Sequence, residues 1–337
     1  SGQHYPSQLA VQYGFDKEMP VIDGSTSTYP FTQAVYTKLF CNGYTSPGYP
    51  KRHSKSHVSY QRLINGEIDM IFASVYPASD ILKMAEEKGV ELELIPIAYD
   101  AMIFFTNKDN PIKGLTKEQI SNIYVNNAYS NWAELGGPDA LLYPYCRNND
   151  SGSHAQMEKH FLNGNEINEK IREETTSETM SNVLTDVQAS KTDNPVGYGL
   201  GYSIYYYFNN MDMFYNTKGT LRLLEIDGVA PNDETIADGS YPLSNNTYIV
   251  LRADTPKDAP ERKMAEFCKE CFLNGDMLET AEQEAYYKGD YYKNSTAHFV
   301  SETGYHGMPA LESVKKFITP ERLWPYHNNP EWILHSS

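Results

Sequence analysis

The sequence predicts an α/β fold. Short apolar segments that end in turn residues alternate along the chain with amphipathic segments that carry helix-start signals. The segment MPVIDG is typical of a short strand, and the stretch after it is helix-like, with Pro30 suited to a first helical turn. No internal repeat and no block of low complexity interrupts this alternation.

The elements before residue 110 follow this pattern in order. A helix is expected to end at a turn at 65–66, and a buried strand follows at 68–74. An amphipathic stretch then predicts another helix, and two apolar strands are expected after it, at 91–97 and 101–106.

The rest of the chain continues the alternation. Thr116 is a suitable N-cap, because its hydroxyl can accept a hydrogen bond from the first helical turn. The stretch from about 285 to 337 is rich in Tyr, His, Asn and Pro and predicts only an irregular, partly helical extension. Further elements are expected as helices at 153–162, near 166–173 and at 178–190, as strands in VGYGLGYS, LRLLEIDGV and NTYIVLR, and as a helix in APERKMAEFCKECFLNG.

Composition excludes some classes of partner. The formal net charge of −16 over 337 residues argues against nucleic acid and anionic membranes as main partners, because both favour a basic surface. No apolar run approaches the length needed to span a bilayer. No signal peptide is visible at the start, SGQHYP, and the sequence is compatible with an export signal that has been removed.

Three loops rich in hydroxyl side chains precede expected helices, at 23–28, 53–57 and 149–154, and each is expected to follow a buried strand. A helix N-terminus presents unpaired N–H groups and a partial positive charge, so it attracts anions. Each loop alone is more typical of an ordinary N-cap, and Arg147 alone is more typical of a surface ion pair. Together, the hydroxyls and one bidentate guanidinium predict a site for a small oxyanion.

Several linked motifs resemble the PstS-like family of phosphate-binding receptors of ABC transporters. The segment 95–137 carries the N-x-x-N-P, L-T-x-x-Q and N-W-x-x-L-G-G patterns of that family, and 147–153 matches its R-x-x-x-S-G-S/T ligand loop. VGYGLGYS and YPLSNNTYIVLR are similar to two of its strands. The order and spacing of these motifs hold from about residue 20 to 275.

The resemblance implies a type II periplasmic-binding-protein fold. Two α/β lobes, each a central mixed sheet flanked by helices, are joined by two crossing strands that act as a hinge. Lobe I would comprise residues 1–99 and 250–337, with the extension from about 285, and lobe II residues 100–249. The crossing strands would include 101–106 and 247–252.

The resemblance also implies a ligand site in the cleft between the lobes. Arg147 would supply the charged fork, and the loops at the helix starts would supply hydroxyl and amide donors. The expected ligand-binding residues are Ser25, Thr26, Ser27, Ser56, Ser74, Arg147, Ser151, Gly152 and Ser153.

The chain departs from the family pattern at Val75. Phosphate receptors often carry an aspartate there, which accepts the proton of hydrogen phosphate and repels fully ionised oxyanions such as sulfate. Without it, Tyr76 or a backbone carbonyl is the alternative acceptor, and the ligand is open between phosphate, another oxyanion and a phosphorylated metabolite.

The function implied is capture of a small oxyanion, phosphate in the first instance, for the membrane permease of an ABC transporter. The protein would be a monomer outside the cytoplasm, either periplasmic or a cell-surface lipoprotein. The alternative is a sensory or surface binding module of the same fold with no transport role.

No enzyme activity, cofactor, metal or nucleic acid partner is expected. Ser151 with His154 or His57 could suggest a nucleophile and its base, but the sequence has no Gly-x-Ser-x-Gly elbow. His53 and His57 are four residues apart, as metal ligands on one helix can be, but no third ligand is near in the sequence.

Overall fold

The computed structural model describes residues 6–25, 28–40, 46 and 48–274. These residues form two compact units. The first contains the described residues up to 74 together with 80–98 and 246–274, and the second contains 75–79 and 99–245. The lobe boundaries expected from the sequence fall in the same two long strands as the unit boundaries, and the assignment of the lobes themselves stays a prediction.

Strands and helices alternate along the described chain, which confirms the predicted α/β class. The strands are β1 Ile22–Gly24, β2 Met70–Ala73, β3 Leu92–Asn107, β4 Gly114–Leu115, β5 Leu141–Pro144, β6 Cys146–Arg147, β7 Thr176–Ser177, β8 Thr192–Asp193, β9 Val196–Ile204, β10 Leu221–Leu223, β11 Glu225–Ile226 and β12 Ser244–Arg252.

The helices begin near the N-terminus and end with the last described residue. They are α1 Gln8–Tyr13, α2 Tyr29–Leu39, α3 Ser56–Ile64, α4 Ser79–Glu87, α5 Lys117–Tyr124, α6 Gly152–Met157, α7 Glu169–Glu174, α8 Met180–Ser190, α9 Tyr205–Asn210, α10 Asp212–Tyr215, α11 Thr217–Thr220, α12 Asp233–Ala237 and α13 Pro260–Asn274. A 3-10 turn spans Trp132–Leu135, and a π-helical turn, Glu158–Leu162, continues α6 directly. Among the described residues no helix has both the length and the apolar character needed to cross a membrane.

The first unit is built on a mixed sheet. β1 pairs in parallel with β2, with Ile22 opposite Met70, and β12 pairs antiparallel with β2, with Tyr248 opposite Ala73. α3 and α4 cover this sheet with their apolar faces. Because β1 and β2 are parallel, the residues that follow them lie at the same sheet edge. The core under α3 and α4 includes Tyr60, Leu63, Ile71, Ile81, Ala85 and Val250.

The second unit is built around β9. This strand runs antiparallel to β3, with Tyr202 opposite Phe104, and parallel to β5. An aromatic cluster packs beside it: the ring centroids of Tyr124 and Tyr202 are 5.5 Å apart, and those of Phe104 and Phe161 are 5.6 Å apart. A Cβ added at Gly201 would lie 2.8 Å from a side-chain carbon of Val187, so this glycine lets α8 pack closely on the strand.

Local sequence signals located most elements correctly. Thr116 Oγ1 accepts from Gln119 N at 3.1 Å, and Gln119 Oε1 accepts from Thr116 N at 2.9 Å, so α5 begins with a capping box. The prediction of two strands at 91–97 and 101–106 is wrong. One continuous strand runs through both, because no turn-forming glycine or asparagine separates them and the chain stays extended.

One further expectation is corrected by the structure, and another concerns residues that the structure does not describe. The hydroxyl loop at 53–57 does not follow a strand in the described residues, since the chain from 48 to 55 is irregular. The extension from about 285 lies outside the described residues, as do Thr26 and Ser27.

Candidate functional site

The first candidate loop lies where β1 and β2 end side by side. Ser25 Oγ and Ser74 Oγ are 3.2 Å apart, and Ser25 Oγ donates to Thr28 Oγ1 at 3.1 Å. Both serines are buried. The parallel pairing of the two strands therefore brings together two of the predicted ligand residues that are 49 positions apart in sequence.

The backbone at Gly24 has no room for a side chain. A Cβ there would lie 2.3 Å from Phe72 O, 2.7 Å from Thr28 Oγ1 and 2.8 Å from His53 Nδ1. These distances are shorter than van der Waals contact, so only glycine allows the loop after β1 to close against β2.

His53 fixes this loop from the other side. Its Nδ1 is 2.7 Å from Ser25 O, and its Nε2 is 2.8 Å from Thr32 Oγ1. A carbonyl oxygen can only accept, so Nδ1 carries the proton and Nε2 accepts from the Thr32 hydroxyl. Burial lowers the pKa of His53 to about 4, against a smaller opposing effect of Asp23, so the ring is neutral at pH 7.

The segment 51–57 divides its side chains between solvent and the interior. Its lysines and arginine are exposed, as a solvated basic loop predicts, whereas His53 is only 3% exposed. His57 Nε2 lies 3.2 Å from a carboxylate oxygen of Asp80, so the two histidines have different partners. Within the described ranges, no cluster of three or more His, Cys, Asp or Glu residues could hold a metal ion.

Ser56 begins α3. Lys55, directly before it, has φ +82°, in the left-handed region, and no described side chain caps the first turn of this helix. The Ser56 carbonyl accepts from the Ser59 hydroxyl at 2.8 Å, but Ser56 makes no hydrogen bond to Ser25 or Ser74. The structure therefore places Ser56 in the same unit as these serines without joining it to them.

Arg147 is the charged centre of the second unit. It ends β6 and is 2% exposed. Its Nε donates to Ser177 O at 3.0 Å, one terminal nitrogen to Asn148 Oδ1 at 3.2 Å, and the other to Ser153 Oγ at 3.5 Å. Its backbone N–H donates to Tyr202 Oη at 2.9 Å. The guanidinium is thus held in place by neutral groups.

Asp150 and Glu178 raise the pKa of this cation through their charges but form no ion pair with it. No carboxylate oxygen of the described residues lies within 4.0 Å of the guanidinium. Burial lowers the pKa of Arg147 to about 10, so it remains protonated at pH 7. A buried charge is unfavourable unless it is paired, and the charges of Asp150 and Glu178 offset the effect of burial only in part. The surroundings of Arg147 therefore favour the binding of an anion.

The predicted ligand loop meets Arg147 at the start of α6. Ser151 caps the helix: its Oγ accepts from His154 N at 3.0 Å and donates to Asn148 O at 2.9 Å. Gly152 and Ser153 form the first turn, where backbone N–H groups have no acceptor within the helix. The structure therefore brings together the four predicted residues of this loop.

Sequence reasoning missed Thr28 and His53. Thr28 Oγ1 donates to Phe72 O at 2.7 Å and so ties the start of α2 to β2. The run of hydroxyl residues in DGSTST was a signal for Thr28. For His53 there was none, because a histidine among Lys and Arg is typical of an exposed loop.

Comparisons with known proteins match most of the chain. Residues 18–273 match the family described as PBP superfamily domain. The phosphate-binding protein PstS of Borreliella burgdorferi is 28% identical over 238 residues, which cover 68% of this chain and 77% of that protein. The protein of the same name from Staphylococcus epidermidis is 26% identical over 270 residues, which cover 78% and 77%.

Solved structures share the fold, and one of them illustrates the match. It is an ABC-type phosphate transport receptor from Vibrio cholerae, with a TM-score of 0.54 and 17% identity, and the match covers 80% of this chain and 97% of that one. Together with the PstS relatives, it confirms the resemblance drawn from the sequence motifs.

We predict that His53→Gln weakens the pH dependence of the unfolding free energy between pH 6.5 and 4. The pKa of His53 is about 4 in the folded protein and 6.5 without the fold, so the unfolded chain binds more protons in this range. The unfolding free energy of the wild-type protein therefore decreases as the pH falls from 6.5 to 4. Glutamine does not titrate, so the variant lacks the contribution of His53 to this decrease.

Urea unfolding of both proteins at pH 7 and pH 5 measures how much unfolding free energy each loses between the two pH values. His160, whose pKa burial also lowers to about 4, is present in both proteins, so its contribution cancels in the comparison. An equal loss of stability in the wild type and in His53→Gln would contradict the burial of a neutral His53.

Proposed function

Since the chain belongs to the PBP superfamily domain family, we propose that it binds a small oxyanion, phosphate in the first place, without catalysing a reaction. The observation that carries this proposal is the buried Arg147 guanidinium, whose hydrogen-bond partners among the described residues are all neutral. The relatives named phosphate-binding protein PstS support phosphate over other anions.

The loop from residue 147 to residue 153, called here the Arg147 loop, offers the donors that a tetrahedral oxyanion needs. The guanidinium supplies charged N–H groups, and the first turn of α6 supplies the amides of Gly152 and Ser153 and the Ser153 hydroxyl. The partial positive charge of the helix start adds to the attraction. A bound anion would neutralise the buried cation, so binding and folding stability would be linked.

The predicted contacts of the first unit remain part of the proposal. Ser25 and Ser74 hold their hydroxyls together at one sheet edge, and the first turn of α3, which begins at Ser56, lacks a described side-chain cap. Thr26 and Ser27, outside the described residues, stay candidate contacts on the strength of the family motif.

The hydrogen bonds of Ser151 support binding without catalysis. A hydrolytic nucleophile must pass its proton to a base such as an imidazole. Here the Ser151 hydroxyl donates to the Asn148 carbonyl and accepts from a backbone N–H, as a helix cap does. The His154 Nε2 lies instead 3.3 Å from a carboxylate oxygen of Glu158.

For the cellular role, we place the protein outside the cytoplasm, in the periplasm or on the cell surface as a lipoprotein. It would act as a monomer and deliver phosphate to the membrane permease of an ABC transporter. The supporting observations are the PstS relatives and the shared fold of the Vibrio cholerae transport receptor.

Replacing Arg147 is expected to weaken phosphate binding more than replacing Ser153. Loss of a charge-assisted contact in Arg147→Ala should raise the Kd about 10- to 150-fold, whereas loss of one neutral hydrogen bond in Ser153→Ala should raise it about 2- to 12-fold. Isothermal titration calorimetry with phosphate measures both.

Arg222→Ala is the matched control for this experiment. Arg222 is a half-buried arginine of the same unit whose Nε donates to Asn110 O at 2.8 Å, and the variant should keep the wild-type Kd. Equal losses in Arg147→Ala and Ser153→Ala would argue against Arg147 as the charged contact. A wild-type protein that binds no phosphate would refute the proposed function.

Val75→Asp is expected to shift selectivity toward hydrogen phosphate and away from sulfate. A carboxylate can accept the proton of hydrogen phosphate but repels sulfate, which carries none. Competition between the two anions measures the shift, with circular dichroism as a check on folding because Val75 is buried. An unchanged phosphate-to-sulfate ratio would show that position 75 does not contact the ligand.

A further inference from the structure

Gln156 is a buried polar side chain on α6, and it is 1% exposed. Neither its Nε2 nor its Oε1 has a hydrogen-bond partner among the described residues. Buried amides in folded proteins are normally satisfied by protein groups, water or a ligand, so an amide without protein partners at both atoms calls for an explanation.

Helix geometry directs Gln156 toward the Arg147 loop. Residues three apart on an α-helix share a face, so Gln156 lies on the same face as Ser153, whose Oγ is 3.5 Å from an Arg147 terminal nitrogen. Helical side chains lean toward the N-terminus of the helix. This geometry points the long Gln156 side chain toward the turn that contains Ser153.

We infer that Gln156 is a further ligand contact that determines specificity in the oxyanion site. Its Nε2 donates a hydrogen bond to one oxygen of the anion, and its Oε1 accepts a hydrogen bond from the O–H group of hydrogen phosphate. This inference rests on the proposed function, because it concerns the same site and names its preferred ligand as a protonated oxyanion.

The other groups of the loop explain why such an acceptor matters. The guanidinium of Arg147 and the backbone amides of the first turn can only donate. The Ser151 hydroxyl already donates to Asn148 O and accepts from His154 N. The Gln156 carbonyl oxygen therefore adds an acceptor that hydrogen phosphate can use and sulfate cannot.

A neutral hydrogen-bond acceptor excludes sulfate less strongly than a carboxylate does. An amide oxygen accepts a hydrogen bond from the O–H group of hydrogen phosphate. It carries no full negative charge, so it repels sulfate less than a carboxylate does. The site therefore binds both anions, with a preference for phosphate that depends on Gln156.

The test is titration of phosphate and of sulfate into the wild-type protein and Gln156→Leu. Leucine has a similar size and no polar atom, so phosphate loses two hydrogen bonds and sulfate loses one. Phosphate affinity is expected to fall about tenfold or more and sulfate affinity about threefold. The ligand-free variant should unfold at the same temperature as the wild type or higher, because an unpaired buried amide is gone.

Ser203→Ala is the matched control. Ser203 is also fully buried in the second unit with an unpartnered Oγ, but strand alternation on β9 places it on the face opposite Tyr202, which bonds to Arg147. This variant should bind both anions as the wild type does. If Gln156→Leu does not fold, Gln156→Met gives the same test with a more flexible side chain.

The outcomes separate the inference from the proposed function. Wild-type affinity for both anions in the Gln156 variant would overturn the inference and leave the proposed function standing. Equal losses for phosphate and sulfate would overturn the acceptor role of Oε1. A wild-type protein that binds neither anion would overturn the proposed function and the inference with it.

Discussion

The feature on which the chemistry of the second unit depends is a buried guanidinium that forms no ion pair with a described carboxylate. Arg147 is 2% exposed and is held by the Ser177 carbonyl, the Asn148 amide oxygen and the Ser153 hydroxyl. None of these three hydrogen-bond partners carries a charge, and Asp150 and Glu178 offset the effect of burial only in part. The folded chain therefore carries an electrostatic cost that an anion would relieve. The cap at Ser151 and the first turn of α6 place further donors beside that charge.

The first unit groups neutral hydroxyls, and the cation beside its loop, Arg62, is already paired with Asp23. Two parallel strands end at one edge, a glycine lets the loop close, and a neutral histidine holds the loop by its Ser25 carbonyl. Neutral hydroxyls and amides suit a chain of net charge −16, whose long-range field repels anions. Anion binding in such a protein depends on short-range donors, since salt screens the repulsion beyond about 10 Å.

Local structure that depends on residues a few positions apart could be predicted from the sequence. The capping box at Thr116, the proline in the first turn of α2 and the contact of Arg147 with Ser153 follow from residues a few positions apart. Features set by distant contacts could not. The burial of His53 depends on Ser25 and Thr32, which are 28 and 21 residues away. The pairing of β3 with β9 joins residues about a hundred positions apart.

A crystal structure of the protein grown with phosphate tests the central claim most directly. The claim predicts tetrahedral density within about 3 Å of the Arg147 guanidinium and of the first-turn amides of α6. Density for phosphate elsewhere, or an Arg147 paired with a carboxylate of the chain itself, would contradict it.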